Sequence, residues 1–133
     1  MFIDASSIVA ILANEPEKEA FHRKIKLANR KSLSGLAKYE AALALRRISG
    51  RSIVETYQAV QEFAHVYAIT QFVPIDQKIT DAAITAFERY GRGNKHPAKL
   101  NMGDCFSYAC AKVSEQTLLF KGNDFIHTDI KAA

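Results

Sequence analysis

Apolar residues fall along this chain in short runs and helical stripes, separated by polar breaks. The run Met1-Phe2-Ile3 stops at Asp4 and predicts a short strand that turns into a helix. Ser6 or Ser7 would cap that helix, which carries Ile8, Val9, Ile11 and Leu12 and stops near Asn14. Pro16 suits the first turn of a second helix reaching about Asn29, with Glu17 and Glu19 at its positive end. Residues 32–34 read as a short strand, and residues 35–48 as an Ala- and Leu-rich helix broken by Ser49-Gly50. Ile53, Tyr57, Val60, Ala64 and Tyr67 stand at helical spacing and predict a long helix whose stripe faces the core. Residues 69–75 predict a strand; Asp76 then caps a helix carrying Ile79, Ala83, Ala86, Phe87 and Tyr90. A polar, basic loop over 91–101 leads to a helix over 103–115 and a strand over 117–120, followed by a turn and a short extended end.

Short strands thus alternate with helices, which predicts an α/β fold with a parallel sheet covered on both faces. No internal repeat, low-complexity stretch or linker interrupts the pattern, so residues 1–133 are expected to form one domain. In such sheets the functional crevice lies beyond the carboxyl ends of the strands. Asp4 and Asp124 each follow an apolar run and would fall there; Asp104, opening a helix after Gly103, could face the same crevice.

Composition adds little to the fold but narrows the partners. A hydrophobic share of 48% with 24% charged residues is ordinary for a globular chain and argues against disorder. The formal net charge of +4 favours an anionic partner such as a nucleic acid, though modestly. Cys105 and Cys110 point to different faces of one helix, so they read as buried apolar residues of a reducing compartment. No apolar run approaches a membrane span, and Asp4 interrupts the apolar N-terminus with no basic residue before it. A cytoplasmic protein without membrane contact is expected.

Candidate chemistry rests on four scattered acids, Asp4, Glu40, Asp104 and Asp124. Phosphodiester cleavage needs an in-line water and builds negative charge on phosphoryl oxygens. Mg²⁺ meets both needs and takes oxygen ligands, one or two direct carboxylates per ion sufficing. Four close carboxylates without a cation would repel one another, and some would take up protons. Against this stands the ordinary role of such residues. An acid near a helix start commonly caps it, Glu is a common helix residue, and the chain holds 14 acids from which four are being chosen.

The segments around these acids resemble a known family. Phe2-Ile3-Asp4-Ala5-Ser6-Ser7-Ile8-Val9-Ala10 looks like the start of PIN-domain proteins, most of all the VapC-type toxins of bacterial toxin–antitoxin pairs. Residues 100–109, with Met102-Gly103-Asp104, resemble the family's second acidic block. Leu118-Leu119-Phe120-Lys121-Gly122-Asn123-Asp124-Phe125, followed by Thr128-Asp129-Ile130, resembles the closing one. Tyr39-Glu40 falls where the family places its helical glutamate. The resemblance spans essentially the whole chain. It implies a three-layer α/β/α fold and a ribonuclease dependent on Mg²⁺, with Mn²⁺ as a substitute, that leaves a 5′-phosphate and a 3′-hydroxyl. It further implies that Asp4, Glu40, Asp104 and Asp124 bind metal and that Ser6 supports Asp4. Asn123 stands where some relatives have another acid. A homodimer and a cognate antitoxin covering the site are implied as partners, besides RNA.

The remaining residues read more plainly. His22, His65, His96 and His127 lack ligand spacing and are expected to be surface or packing residues. Asp129 is a weaker candidate for an outer-shell role and is expected to be a surface charge. Basic residues cluster at 24–31, at Arg46, Arg47 and Arg51, and at Arg89, Arg92, Lys95 and Lys99; the last group could form a flexible basic rim beside Asp104 that holds the RNA backbone. Two other functions fit the same fold: a non-catalytic binding module with vestigial acids, and a phosphoacceptor signalling domain. Helix-borne Asp104 and the basic balance give the second no support.

Overall fold

The computed structural model describes residues 1–133. Ten elements follow one another: β1 (Phe2–Ile3), α1 (Ala5–Leu12), α2 (Lys18–Leu27), β2 (Ser32–Ser34), α3 (Gly35–Ser49), α4 (Ile53–Val66), β3 (Gln71–Val73), α5 (Gln77–Tyr90), α6 (Met102–Val113) and β4 (Leu118–Leu119). The strands form one parallel sheet in the order β3-β2-β1-β4. Phe2 sits opposite both Ser32 and Leu118, and Leu33 opposite Phe72.

The sheet grows outward from β1 through β2 to β3, then the chain returns to place β4 on the other side of β1. Right-handed crossovers taken in opposite directions must cover opposite faces of the sheet. The core divides accordingly. Ile3, Leu33 and Leu119 pack with α1, α2, α3 and α4 in one cluster. Phe2 and Leu118 pack with α5 and α6 in the other. Adjacent residues of one strand serve opposite layers because strand side chains alternate. This is the expected three-layer α/β/α arrangement, and no helix is long and apolar enough to cross a membrane.

Several local expectations need correction. Pro16 does not enter a helix: α2 begins at Lys18 with Glu17 at its cap, and residues 15–17 form a turn. The strand expected over 69–75 shrinks to β3, since Ala68 takes a left-handed conformation and Ile69 is drawn into the core instead. Along α4 the buried stripe is Thr56, Val60, Phe63 and Ala64, while Ile53 and Tyr57 are exposed. The basic loop is stitched rather than flexible. Asn94 donates to the carbonyls of Phe87 and Glu88 at the end of α5, Arg92 N–H donates to Leu100 O, and Ala98 and Leu100 are fully buried.

Candidate functional site

Asp4 leaves β1 as the N-cap of α1, the role expected of Ser6 or Ser7, which both lie inside the helix. Its Oδ2 accepts from the Ser6 N–H at 2.8 Å and from the Ser6 hydroxyl at 2.5 Å. Ser6 Oγ in turn accepts from the Lys121 N–H at 2.9 Å. A hydroxyl has one proton, so the donation to Asp4 is directed by the donor behind it. The turn after β4 therefore orients the carboxylate at the end of β1, and Asp4 is only 5% exposed.

Asp104 is the third residue of α6 and closes a capping box: its Oδ2 accepts from Asn101 N–H at 2.8 Å, while Asn101 Oδ1 accepts from Asp104 N–H at 3.0 Å. The capping role foreseen for such an acid is thus real, and it uses one oxygen. Glu40 comes from the second turn of α3 and meets the start of α6 at Gly103, where any Cβ would overlap its carboxylate. The glycine there serves close approach rather than backbone conformation, since a Cβ would push the flexible end of Glu40 aside.

These three acids line one open cleft of about 310 Å³ at the carboxyl end of β1, beside the point where the sheet changes direction. Only three of its eleven lining residues are apolar, which suits an ionic ligand. Burial, with the charges of Asp4 and Asp104, pushes the Glu40 carboxyl up to about 7. Burial also raises Asp104, to about 6, against the lowering hydrogen bond from Asn101; Asp4 and Asp124 add to the rise and Arg92 opposes it. None of the four acids joins an ion pair, for the three in the protein connect Lys112 with Asp129 and Lys121 with Glu15 and Glu17.

Asp124 stands apart from the cleft lining, exposed in the turn after β4, and reaches the site through its field on Asp104. Asp129 is neither an outer-shell group nor a plain surface charge. It accepts from Tyr108 at 2.5 Å, Lys112 at 2.9 Å and Tyr90 at 3.2 Å, tying the chain end to α5 and α6. The Tyr108 hydrogen bond, then Lys112, holds its carboxyl at about 2. His22 and His96 are packing residues, set against Tyr67 and Tyr90. The cysteines are buried and free.

Four cleft residues escaped the sequence reading of the site: Glu15, Arg47, Asn101 and Lys121. Asn101 had a signal, an Asn three residues before an acid at a helix start. Arg47 had one too, seven residues after Glu40 on the same helix face. Glu15 and Lys121 are 106 residues apart and meet only through the sheet.

Donor chemistry favours a hard divalent cation here: one buried and two half-buried carboxylates, no cationic partner to them, no thiolate or imidazole among the lining residues. No three acids, His or Cys close to ligating geometry. A cation that keeps several waters and takes one or two direct carboxylates does not require them to.

Known proteins share both the sequence and the architecture. The PIN domain family model matches residues 1–131. A VapC ribonuclease of Rhizobium meliloti is 41% identical, over 97% of this chain and 98% of its own length. Ribonuclease VapC30 of Mycobacterium tuberculosis is 39% identical, over 98% of this chain and 95% of its own. The crystal structure of Mycobacterium tuberculosis VapC20, a sarcin–ricin-loop-cleaving toxin, superposes with a TM-score of 0.73 at 17% identity, covering 99% of this chain and 97% of that one. A toxin–antitoxin complex from Klebsiella pneumoniae gives 0.67 at 14% identity, covering 96% and 92%. The last two show a shared fold, and the first three a shared family: the chain belongs to the PIN-domain family, among its VapC ribonucleases.

Proposed function

We propose that this protein is a divalent-metal-dependent endoribonuclease, the toxin of a VapBC-type toxin–antitoxin pair, folded as one cytoplasmic domain over residues 1–133. The observation that carries it is three carboxylates from three separate elements sharing one cleft without a cationic partner. Family membership supplies the reaction class, and the acids supply its chemistry.

Asp4, Glu40 and Asp104 would hold Mg²⁺ or Mn²⁺, with Asp124 acting from the rim. When bound, the cation would make water nucleophilic near neutral pH and offset charge on the phosphoryl oxygens. The chain's own contribution is positional. Ser6 and the Asn101–Asp104 box hold one oxygen each of Asp4 and Asp104, leaving the other free for the cleft. Gly103 admits the Glu40 carboxylate to the same space. Arg92, whose Nε donates to Lys99 O, acts on the Asp104 side and would take an RNA phosphate there. Hydrolysis would leave a 5′-phosphate and a 3′-hydroxyl. A homodimer and an antitoxin that covers the cleft complete the proposal.

The decisive experiment incubates total RNA with the purified, antitoxin-free protein in Mg²⁺, Mn²⁺ or EDTA, and repeats it with Asp4→Asn and Asp104→Asn. Metal-dependent cuts that disappear in both variants are expected, with 5′-phosphate product ends. A folded protein that cleaves no RNA under any of these conditions would instead favour a binding module that keeps the fold without the chemistry.

A further inference from the structure

Two cations line the cleft beside the acids, and they are differently engaged. Lys121 is neutralised, its Nζ lying 2.8 Å from Glu15 Oε2 and 3.0 Å from Glu17 Oε2. Arg47 has no ion-pair partner. It lies in the last turn of α3, on the same face as Glu40 and Ala44, at positions i, i+4 and i+7. Seven residues of helix separate Glu40 and Arg47 by roughly 10 Å along the axis. Long helical side chains lean back towards the N-terminus, which turns the guanidinium towards the cleft over the small Ala44. Arg47 forms no ion pair with any of the cleft acids, so its charge remains available to another anion. Arg92 does act on Asp104, although it does not line the cleft itself.

An anionic strand crossing the cleft would therefore meet the acids, the field of Arg92 at Asp104, and the unpaired Arg47 at the end of α3. We propose that Arg47 is a substrate-binding residue, gripping through its guanidinium a phosphate of the RNA strand beside the bond to be cut. The inference rests on the ribonuclease reading above and adds to it a path for the strand, from Asp104 past Glu40 to the end of α3. A planar fork suits two phosphate oxygens at once, which a lysine ammonium does not. The separation along α3 matches a phosphate outside the reacting centre, so Arg47 contributes affinity and register rather than chemistry.

The neighbour Arg46 makes the test sharp. It is equally exposed and equally charged but does not line the cleft. Binding of a fluorescein-labelled random-sequence RNA 12-mer is measured by anisotropy in Mg²⁺ across a salt series. An Asp104→Asn background suppresses cleavage, and Arg47→Ala, Arg47→Lys and Arg46→Ala are compared within it. Arg47→Ala should weaken binding about tenfold or more and reduce the slope of log K against log salt by about 0.7, the loss of one single-strand phosphate contact. Arg47→Lys should restore the slope but only part of the affinity, while Arg46→Ala should stay near the parent. Equal effects of Arg46→Ala and Arg47→Ala would overturn the inference, since they would reduce it to net charge. Failure of the parent itself to bind RNA would overturn the ribonuclease reading and this inference with it. In the otherwise native protein, Arg47→Ala should raise KM more than it lowers kcat.

Discussion

Gly103 and Glu40 show how much of the site is decided by single atoms. Gly103 has ordinary helical conformation, so alanine would suit the helix better by about 1 kcal/mol in propensity alone. Yet its methyl would take the place of the Glu40 carboxylate. Gly103→Ala is therefore expected to fold, with little change in melting temperature, while Mn²⁺ affinity measured by titration calorimetry drops sharply. Equal affinity would show that Glu40 does not need to reach α6. Glu40 also makes a statement about pH. Its carboxyl is raised from an ordinary 4.5 to about 7, so between those values the folded protein binds more protons than the unfolded one. Stability of the metal-free protein should accordingly fall as pH rises from about 4.5 through 7, and Asp104, raised from 3.8 to about 6, acts in the same sense. Glu40→Gln should flatten this slope in EDTA, and saturating Mg²⁺ should flatten it in the parent. Melting curves at pH 5 and pH 8 check both, and a slope unaltered by Glu40→Gln would refute the coupling.

At the level of elements, the turns after β1 and β4 and the chain end act as fasteners. Lys121 joins the turn after β4 to the α1–α2 turn through Glu15 and Glu17, and its main chain steadies Ser6. Asp129 gathers Tyr90, Tyr108 and Lys112, and Ala132 pairs with Leu118 to cover the free edge of β4. Asp129→Asn should cost about 1 kcal/mol, a charge-assisted bond discounted for its solvent exposure. Its carboxyl is depressed, so this stability is present above about 3.8 and is lost as pH falls towards 2. Metal affinity should not change, because Asp129 lies outside the cleft. Helix positions were largely legible along the chain, but most of the caps that fix their ends were not. Ser52 and Asn101 both form capping boxes, and Gly50 takes the left-handed cap that closes α3. What local pattern missed was which residues of the α4 stripe reach the core. Ile53 and Tyr57 share the period of Val60 but not its burial, because period marks a face without saying how far the core extends beneath it.

Across the whole molecule, β1 holds the two layers together. Phe2 belongs to the α5/α6 core and Ile3 to the opposite one, both without solvent exposure. Phe2→Ala should cost about 3–5 kcal/mol by leaving a cavity between β1 and α5/α6, measured as a shift in the urea midpoint. A loss below 1 kcal/mol would mean that the layer collapses around the gap. The same strand sets the site, for the carboxylate after Ile3 lies where β4 joins from the other side and the sheet changes direction. Alternation of short apolar runs with helical stripes was enough to foresee a parallel sheet covered on both faces, since that arrangement alone buries both kinds of stripe. The four acids were legible through their motifs. That Asp4, Glu40 and Asp104 share a cleft while Asp124 stays outside its lining was not. Local chemistry, read residue by residue, determined the helices, the Asp76 cap and the candidate acids of this protein. Only the tertiary structure decided which oxygens are free, that Lys121 is neutralised and Arg47 is not, and that Asp129 fastens the chain end. Those outcomes depend on contacts between residues far apart in sequence, whose distances are set by packing rather than by local pattern.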